Sequence, residues 1–250
     1  MPSNSKGTFG RGFKDGLAIG LGYLSVSFTF GIFAVNSGLS WWQATLMSFM
    51  NVTSAGQQAA VGIMSASGGL IEMAIATFVI NVRYALMAIS LSQRADESMN
   101  IPSRILLANF ITDEIFAVAY NSPFEVNRRF MAGLAVLPVA GWTLGTFLGT
   151  MFSTLMPDIV SSSMAIGIFG MFVAIVLPQT KKDRIVMWSC LVAIALSITF
   201  YYVPFLKNNI SGGFTIIICA VVAALVGVFM LPPEESVLEK DTNKAVTNNG

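Results

Sequence analysis

Eight mostly apolar stretches run along the chain, near 16–35, 43–65, 70–91, 104–120, 130–153, 161–177, 185–203 and 213–231. A bilayer core about 30 Å thick needs about 20 such residues per helix. The breaks between them carry helix-ending residues: Asn36-Ser37-Gly38, Gly68-Gly69, Asn121-Ser122-Pro123, Met156-Pro157-Asp158, Pro178, Pro204 and Pro232-Pro233. The pattern predicts an all-α integral membrane protein of about eight transmembrane helices. Ser54-Ala55-Gly56 interrupts the second stretch, and the count falls to seven if that stretch re-enters instead of crossing. The organisation expected is a polar cytoplasmic segment at 1–15, a polytopic membrane domain at 16–231 and a disordered cytoplasmic tail at 232–250.

The Lys and Arg residues orient this frame. With eight crossings and the N-terminus inside, Lys6, Arg11, Lys14, Arg128, Arg129, Lys181, Lys182 and Arg184 face the cytoplasm, while Arg94, Arg104 and Lys207 face out. Re-entry of the second stretch would move every later loop to the other side and reverse that bias, so eight crossings are expected, with both termini inside. Trp41-Trp42, Tyr201-Tyr202 and Trp188 fall at helix ends, where amphipathic rings prefer the headgroup level.

Composition narrows the function classes. The chain is 54% hydrophobic and 11% charged with a formal net charge of +1, which points away from nucleic acid. It contains no histidine, so the usual general base and the usual imidazole metal ligand are missing. Cys190 and Cys219 lie inside apolar runs and read as packing residues rather than a disulfide or metal pair. No enzyme activity, metal or cofactor is expected.

Glycines recur at fixed spacing: Gly12, Gly16 and Gly20 in the first helix, then Gly141, Gly145 and Gly149 in the fifth. Such small-xxx-small rows permit close helix contact. Their recurrence suggests two four-helix halves, with one row packed inside the chain and the other open to a partner helix.

Three stretches put polar residues at membrane depth: Asn51 to Gln58, Asn81 to Tyr84, and Asn109 to Glu114. Intramembrane charge costs about 3 kcal/mol on insertion scales, so it normally faces a cavity or a partner group. Taken as an antiparallel hairpin, the third and fourth helices bring Arg83 and Asp113 to one depth. Thr77, Asn81 and Tyr84 share one helix face, and Asn109 shares another with Asp113. Arg83, Asp113 and Glu114 are candidates for a charge or proton relay, since one cation does not neutralise two carboxylates at low dielectric. The alternative is an Arg83–Asp113 ion pair that simply locks two helices, and which carboxylate would carry a proton stays open. Ser54, Gln57, Gln58, Asn81, Tyr84, Thr77 and Asn109 are the candidates for contacting a polar solute. Tyr23, Phe30 and Met50 are candidate walls.

These elements resemble the large subunit of the AzlC/YgaZ/BrnF family of branched-chain amino acid exporters. The likeness covers about 13–231 and rests on the glycine-dotted 16–31 with Gly38-Leu39, on Gln57-x4-Gly62, on Thr77-x3-Asn81-x-Arg83 and on Thr112-Asp113-Glu114. Two positions depart from it: Thr53-Ser54 stands where Ala-Gly is usual, and Tyr84 where histidine is common. The resemblance implies export of valine, leucine, isoleucine or methionine across the bacterial cytoplasmic membrane, driven by the proton gradient. It also implies a small membrane partner of the AzlD/YgaH/BrnE type. A channel or facilitator for another small polar solute, or a membrane-embedded enzyme, are the competing readings.

Overall fold

The computed structural model describes residues 7–153 and 155–231. Among these the elements are α1 (Phe9–Asp15), α2 (Leu17–Asn36), α3 (Trp41–Met50), α4 (Ala55–Ser65), α5 (Leu70–Ser92), α6 (Ile101–Ala108), α7 (Asp113–Tyr120), α8 (Arg128–Ser153), α9 (Asp158–Lys182), α10 (Arg184–Tyr202), α11 (Pro204–Asn209) and α12 (Gly212–Phe229). Five of them, α2, α5, α8, α10 and α12, are long and apolar enough to cross a membrane. The chain is an all-α integral membrane protein. The tail expected at 232–250 lies outside the described residues.

Two compact units divide the chain. The larger holds α1–α8 with the chain to Val173 and Gly212–Phe214, and the smaller holds the rest of the described residues. The boundary therefore does not fall between the fourth and fifth apolar stretches, and the two glycine rows belong to one unit instead of heading two four-helix halves.

Within the larger unit, α1 and α2 lie side by side with α8 and run parallel to it. Gly12 lies against Phe130 and Leu134, Gly20 against Leu137, Gly145 against Leu24 and Ser27, and Gly31 against Thr146 and Thr150. A Cβ on Gly141 would run into the Gly20 carbonyl, and one on Gly145 into the Leu24 carbonyl. Ser27 Oγ donates to the Gly141 carbonyl at 3.3 Å across this seam. Lipid leaves no hydrophobic drive between helices, so close backbone approach and dispersion hold such a pair. Both glycine rows are spent on each other, and neither is left open for a partner.

The second and fourth apolar stretches are not single helices. The second is α3 and α4, of 10 and 11 residues, and the fourth is α6 and α7, of 8 residues each. At 1.5 Å per residue none of the four spans a 30 Å core. The breaks are similar in kind: Asn51-Val52-Thr53-Ser54 and Asn109-Phe110-Ile111-Thr112 each open on an asparagine and close on a hydroxyl residue at the next N-cap.

Contacts give the direction of each piece. We call the end of the unit carrying the start of α8 proximal, and the end where α2 and α8 finish distal. α3 enters from the distal end. α4 climbs back there, because Gln57 at its start bonds Ser48 while Val61 one turn later rejoins Phe30, Ala34 and Ala44. α5 then runs antiparallel to α4, with Asn81 against Gly56 and Glu72 against Gly68. It reaches the proximal end, where Asp96 N–H donates to the Val126 carbonyl at 3.0 Å. From there α6 rises until Asn109 Nδ2 donates to the Met50 carbonyl at 3.2 Å. α7 returns to the proximal end, where Arg94 donates to the Ser122 carbonyl at 2.8 Å. Each stretch is thus a helical hairpin that enters and leaves by one end, and the two tips meet between Met50 and Asn109.

Because both hairpins re-enter, two full crossings precede α8 in place of four, and α8 keeps the direction it has in the eight-crossing frame. Only the connections at 66–69 and 93–100 exchange ends relative to an eight-crossing frame. Ala66→Cys is therefore expected to label from the same side as Ser37→Cys, and Glu97→Cys from the opposite side together with Glu125→Cys. Impermeant maleimide labelling of whole cells and of inverted vesicles checks this. Labelling of Ala66→Cys and Glu125→Cys from one face would contradict the re-entrant hairpins.

Candidate functional site

The broken stretches place two helix starts deep in the unit, those of α4 and α7. Each helix start carries about half a positive charge from its unpaired N–H groups. The two ends are finished differently. At α7 the N-cap Thr112 Oγ1 accepts from Ile115 N–H at 3.3 Å, and Asp113 and Glu114 fill the first turn. At α4 the N-cap Ser54 makes no side-chain cap, and the first turn has no acidic residue. Ser54 also holds φ 50°, outside the region an L-residue prefers, which costs about 1–3 kcal/mol.

A polar chain joins the two ends. Gln57, fully buried, accepts from Trp142 Nε1 at 2.8 Å and donates to Ser48 Oγ at 3.1 Å, and Ser48 bonds Thr146 at 2.8 Å. Trp142 meets Tyr23 edge to face with centroids 5.4 Å apart. The Tyr23 hydroxyl bonds Thr112 Oγ1 at 2.7 Å and donates to the Glu114 carboxylate. On the other side of the α7 start, Arg83 pairs with Asp113 at 2.6 Å. Arg83 also donates to Tyr84 Oη at 3.2 Å and lies 5.0 Å from its ring centroid.

Several expected residues therefore do come together, though not all as the sequence implied. Arg83 and Asp113 pair, but between α5 and α7 running in the same direction rather than across an antiparallel hairpin. Their side chains are 45% and 42% exposed, so the pair faces outward from this chain and is not buried in it. Thr77 is taken up by its own helix, donating to the Met73 carbonyl at 2.7 Å. Asn109 pins the hairpin tips. Phe30 is core, and Met50 supplies a carbonyl instead of a wall. Arg94, placed on the outer side by the eight-crossing frame, lies at the proximal end and holds the carbonyls that follow α7.

Sequence reasoning missed Trp142, Ser48 and Thr146. The available signal was a tryptophan in the middle of a glycine-spaced helix, far from either headgroup level. It also passed over Glu72, a buried carboxylate that accepts from Gly213 N–H at 2.7 Å.

The Gln57 amide is engaged at both ends, which makes it a brace between α3, α4 and α8. Gln57→Leu leaves the Trp142 N–H without its acceptor, and a buried unsatisfied group costs about 1–3 kcal/mol. The expected result is a fall in thermal stability of the purified chain, larger than for Gln58→Leu. A melting temperature unchanged from wild type would remove Gln57 from that role.

The chain is similar to known membrane proteins. A family model described as AzlC protein matches residues 18–156, the stretch that contains both hairpins and α8. The inner membrane protein YgaZ of Escherichia coli (strain K12) is 27% identical over 237 residues, covering 92% of this chain and 94% of that protein. An uncharacterized membrane protein of Archaeoglobus fulgidus is 32% identical over 188 residues, covering 74% and 82%. One from Helicobacter pylori (strain J99) is 27% identical over 183 residues, covering 70% and 78%. No solved structure matches the chain. A family match over more than half of the sequence, together with relatives aligned across most of it, means that this chain belongs to the AzlC family.

Proposed function

We propose that this chain exports a small zwitterionic solute, a branched-chain amino acid, from the cytoplasm by way of the region where the two hairpin tips meet. The observation that carries this reading is the pair of half-helix starts inside the unit. Broken helices that present N-terminal amides and polar side chains at membrane depth are how transporters hold small charged solutes. Family membership supports the amino acid assignment, together with a small membrane partner of the AzlD/YgaH/BrnE type.

The proximal end is the cytoplasmic one in this reading. Arg11, Lys14, Arg94, Arg104, Arg128 and Arg129 belong to proximal segments, whereas the distal connections at 37–40 and 66–69 contain no Lys or Arg. The re-entrant hairpins gather Arg94 and Arg104 on that side. Proton coupling is assigned to the α7 start. Arg83 engages Asp113 there, while Glu114 is held by the neutral hydroxyl of Tyr23, so the two adjacent carboxylates have different partners.

The test is uptake of labelled valine and leucine into inverted vesicles carrying the full chain, with and without a co-expressed small membrane protein of the AzlD/YgaH/BrnE type. Accumulation that an uncoupler abolishes supports proton-driven export. Flux unaffected by the uncoupler indicates a facilitator, and no amino acid flux under either condition overturns the reading.

A further inference from the structure

The start of α4 has a particular chemistry. No side chain caps it, its first turn carries no acid, and the hydroxyls of Thr53 and Ser54 and the Nε2 of Gln58 are buried without a hydrogen-bond partner. Gln58 is 8% exposed. Helical side chains lean toward the start of their helix, so Gln58, in the first turn and a half of α4, reaches back over its N-terminus. Gln57 differs, because its amide is consumed by Trp142 and Ser48.

Beside these donors lies an acceptor, the amide oxygen of Asn81. A Cβ added to Gly56 would run into Thr53 Oγ1 at 2.6 Å and the Asn81 amide, with Nδ2 at 2.9 Å and Oδ1 at 3.0 Å, so the bare glycine lets both polar side chains gather against the start of α4. Asn81 Oδ1 is also buried and unpartnered. Uncompensated polar atoms at membrane depth are costly, and a cluster of them needs a bonding partner.

We propose that the start of α4 is the subsite for the α-carboxylate of the transported amino acid, held by the backbone amides of Ala55 and Gln57, by the Thr53 and Ser54 hydroxyls and by Gln58 Nε2, with Asn81 Oδ1 receiving the adjacent ammonium. The inference rests on the amino acid reading above and adds to it which atoms recognise which group. A helix N-terminus with unpaired amides suits an anion. The start of α7 does not, since Asp113 and Glu114 already occupy its first turn. Gln58, not Gln57, is then the glutamine that governs affinity.

The experiment measures equilibrium binding of labelled L-valine to the full chain in lipid nanodiscs, with unlabelled L-valine and L-valinamide as competitors. Valinamide keeps the side chain and ammonium but lacks the anionic carboxylate. Gln58→Leu is expected to weaken valine binding by roughly tenfold or more, the usual scale for a hydrogen bond to a charged group, while valinamide competition stays as in wild type. Thr53→Val, which keeps the side-chain shape, should act in the same direction, and it carries the test if Gln58→Leu does not fold. Folded variants with wild-type valine affinity overturn the subsite and leave the transport reading standing. Equal weakening of valine and valinamide also overturns it, because the residues would then shape the pocket and not recognise the carboxylate. If the wild-type chain binds no valine, the amino acid reading falls and the subsite with it.

Discussion

Gly145→Leu is expected to prevent accumulation of folded chain, with Gly141→Leu close behind. The Cα of each is pressed onto backbone of α2, Gly145 on Leu24 and Gly141 on Gly20. Overpacking a core usually costs about 1–3 kcal/mol because side chains can rotate aside. Here the obstacle is main chain, so α2 and α8 must separate along their whole seam, losing the dispersion that holds them and the Ser27–Gly141 bond. Gly22→Leu on α2 is the matched control, since a Cβ there meets nothing within 4 Å. Fluorescence-detected size exclusion of tagged protein gives the readout. A monodisperse peak for Gly145→Leu equal to that of Gly22→Leu would mean the seam is not what holds the unit together. Loss of a partner subunit in Gly145→Leu would report unfolding rather than a lost docking face.

Arg83→Ala should lower transport strongly, by about tenfold or more, because Asp113 is then left as an unpaired charge at membrane depth, worth about 3 kcal/mol on insertion scales. The half-exposure of both side chains moderates the cost to folding, since water or headgroups reaching that face would screen the charge. The cost to function does not depend on that screening if the pair belongs to the relay. Adding Asp113→Asn should recover folded yield more than transport. Arg129→Ala is the suitable comparison, being exposed. Arg94→Ala is unsuitable, because that guanidinium holds the carbonyls of Ser122 and Phe124 at 2.8 and 3.4 Å. Near-normal transport in both Arg83→Ala and Arg129→Ala proteins would remove the ion pair from the mechanism.

The polar residues at the site were legible one by one, but their division of labour was not. Gln57 and Gln58 are adjacent and chemically identical, and only the presence of Trp142 and Ser48 on one side separates a brace from an unpaired donor. Arg83 and Asp113 were paired by a depth count that assumed one continuous fourth helix. The pair forms for a different reason: α7 starts beside the middle of α5 because α6 stops after Ala108 and the chain turns back.

Membrane residence, helical content and the special status of the three polar stretches were determined by the sequence alone. Apolar run length and the cost of intramembrane charge are properties of local composition. Whether an apolar run of about 20 residues crosses or folds back is not, because both forms satisfy lipid and the break at Asn51–Ser54 or Asn109–Thr112 permits either. Tertiary packing made that choice. α4 turns back to bury Val61 against Phe30, Ala34 and Ala44, and α7 turns back to bury Ile115 and Ala119 with Val126 and Phe130. The first contact joins α4 to α2 and α3, and the second joins α7 to the start of α8, so each depends on how separate helices pack and not on the composition of the run itself.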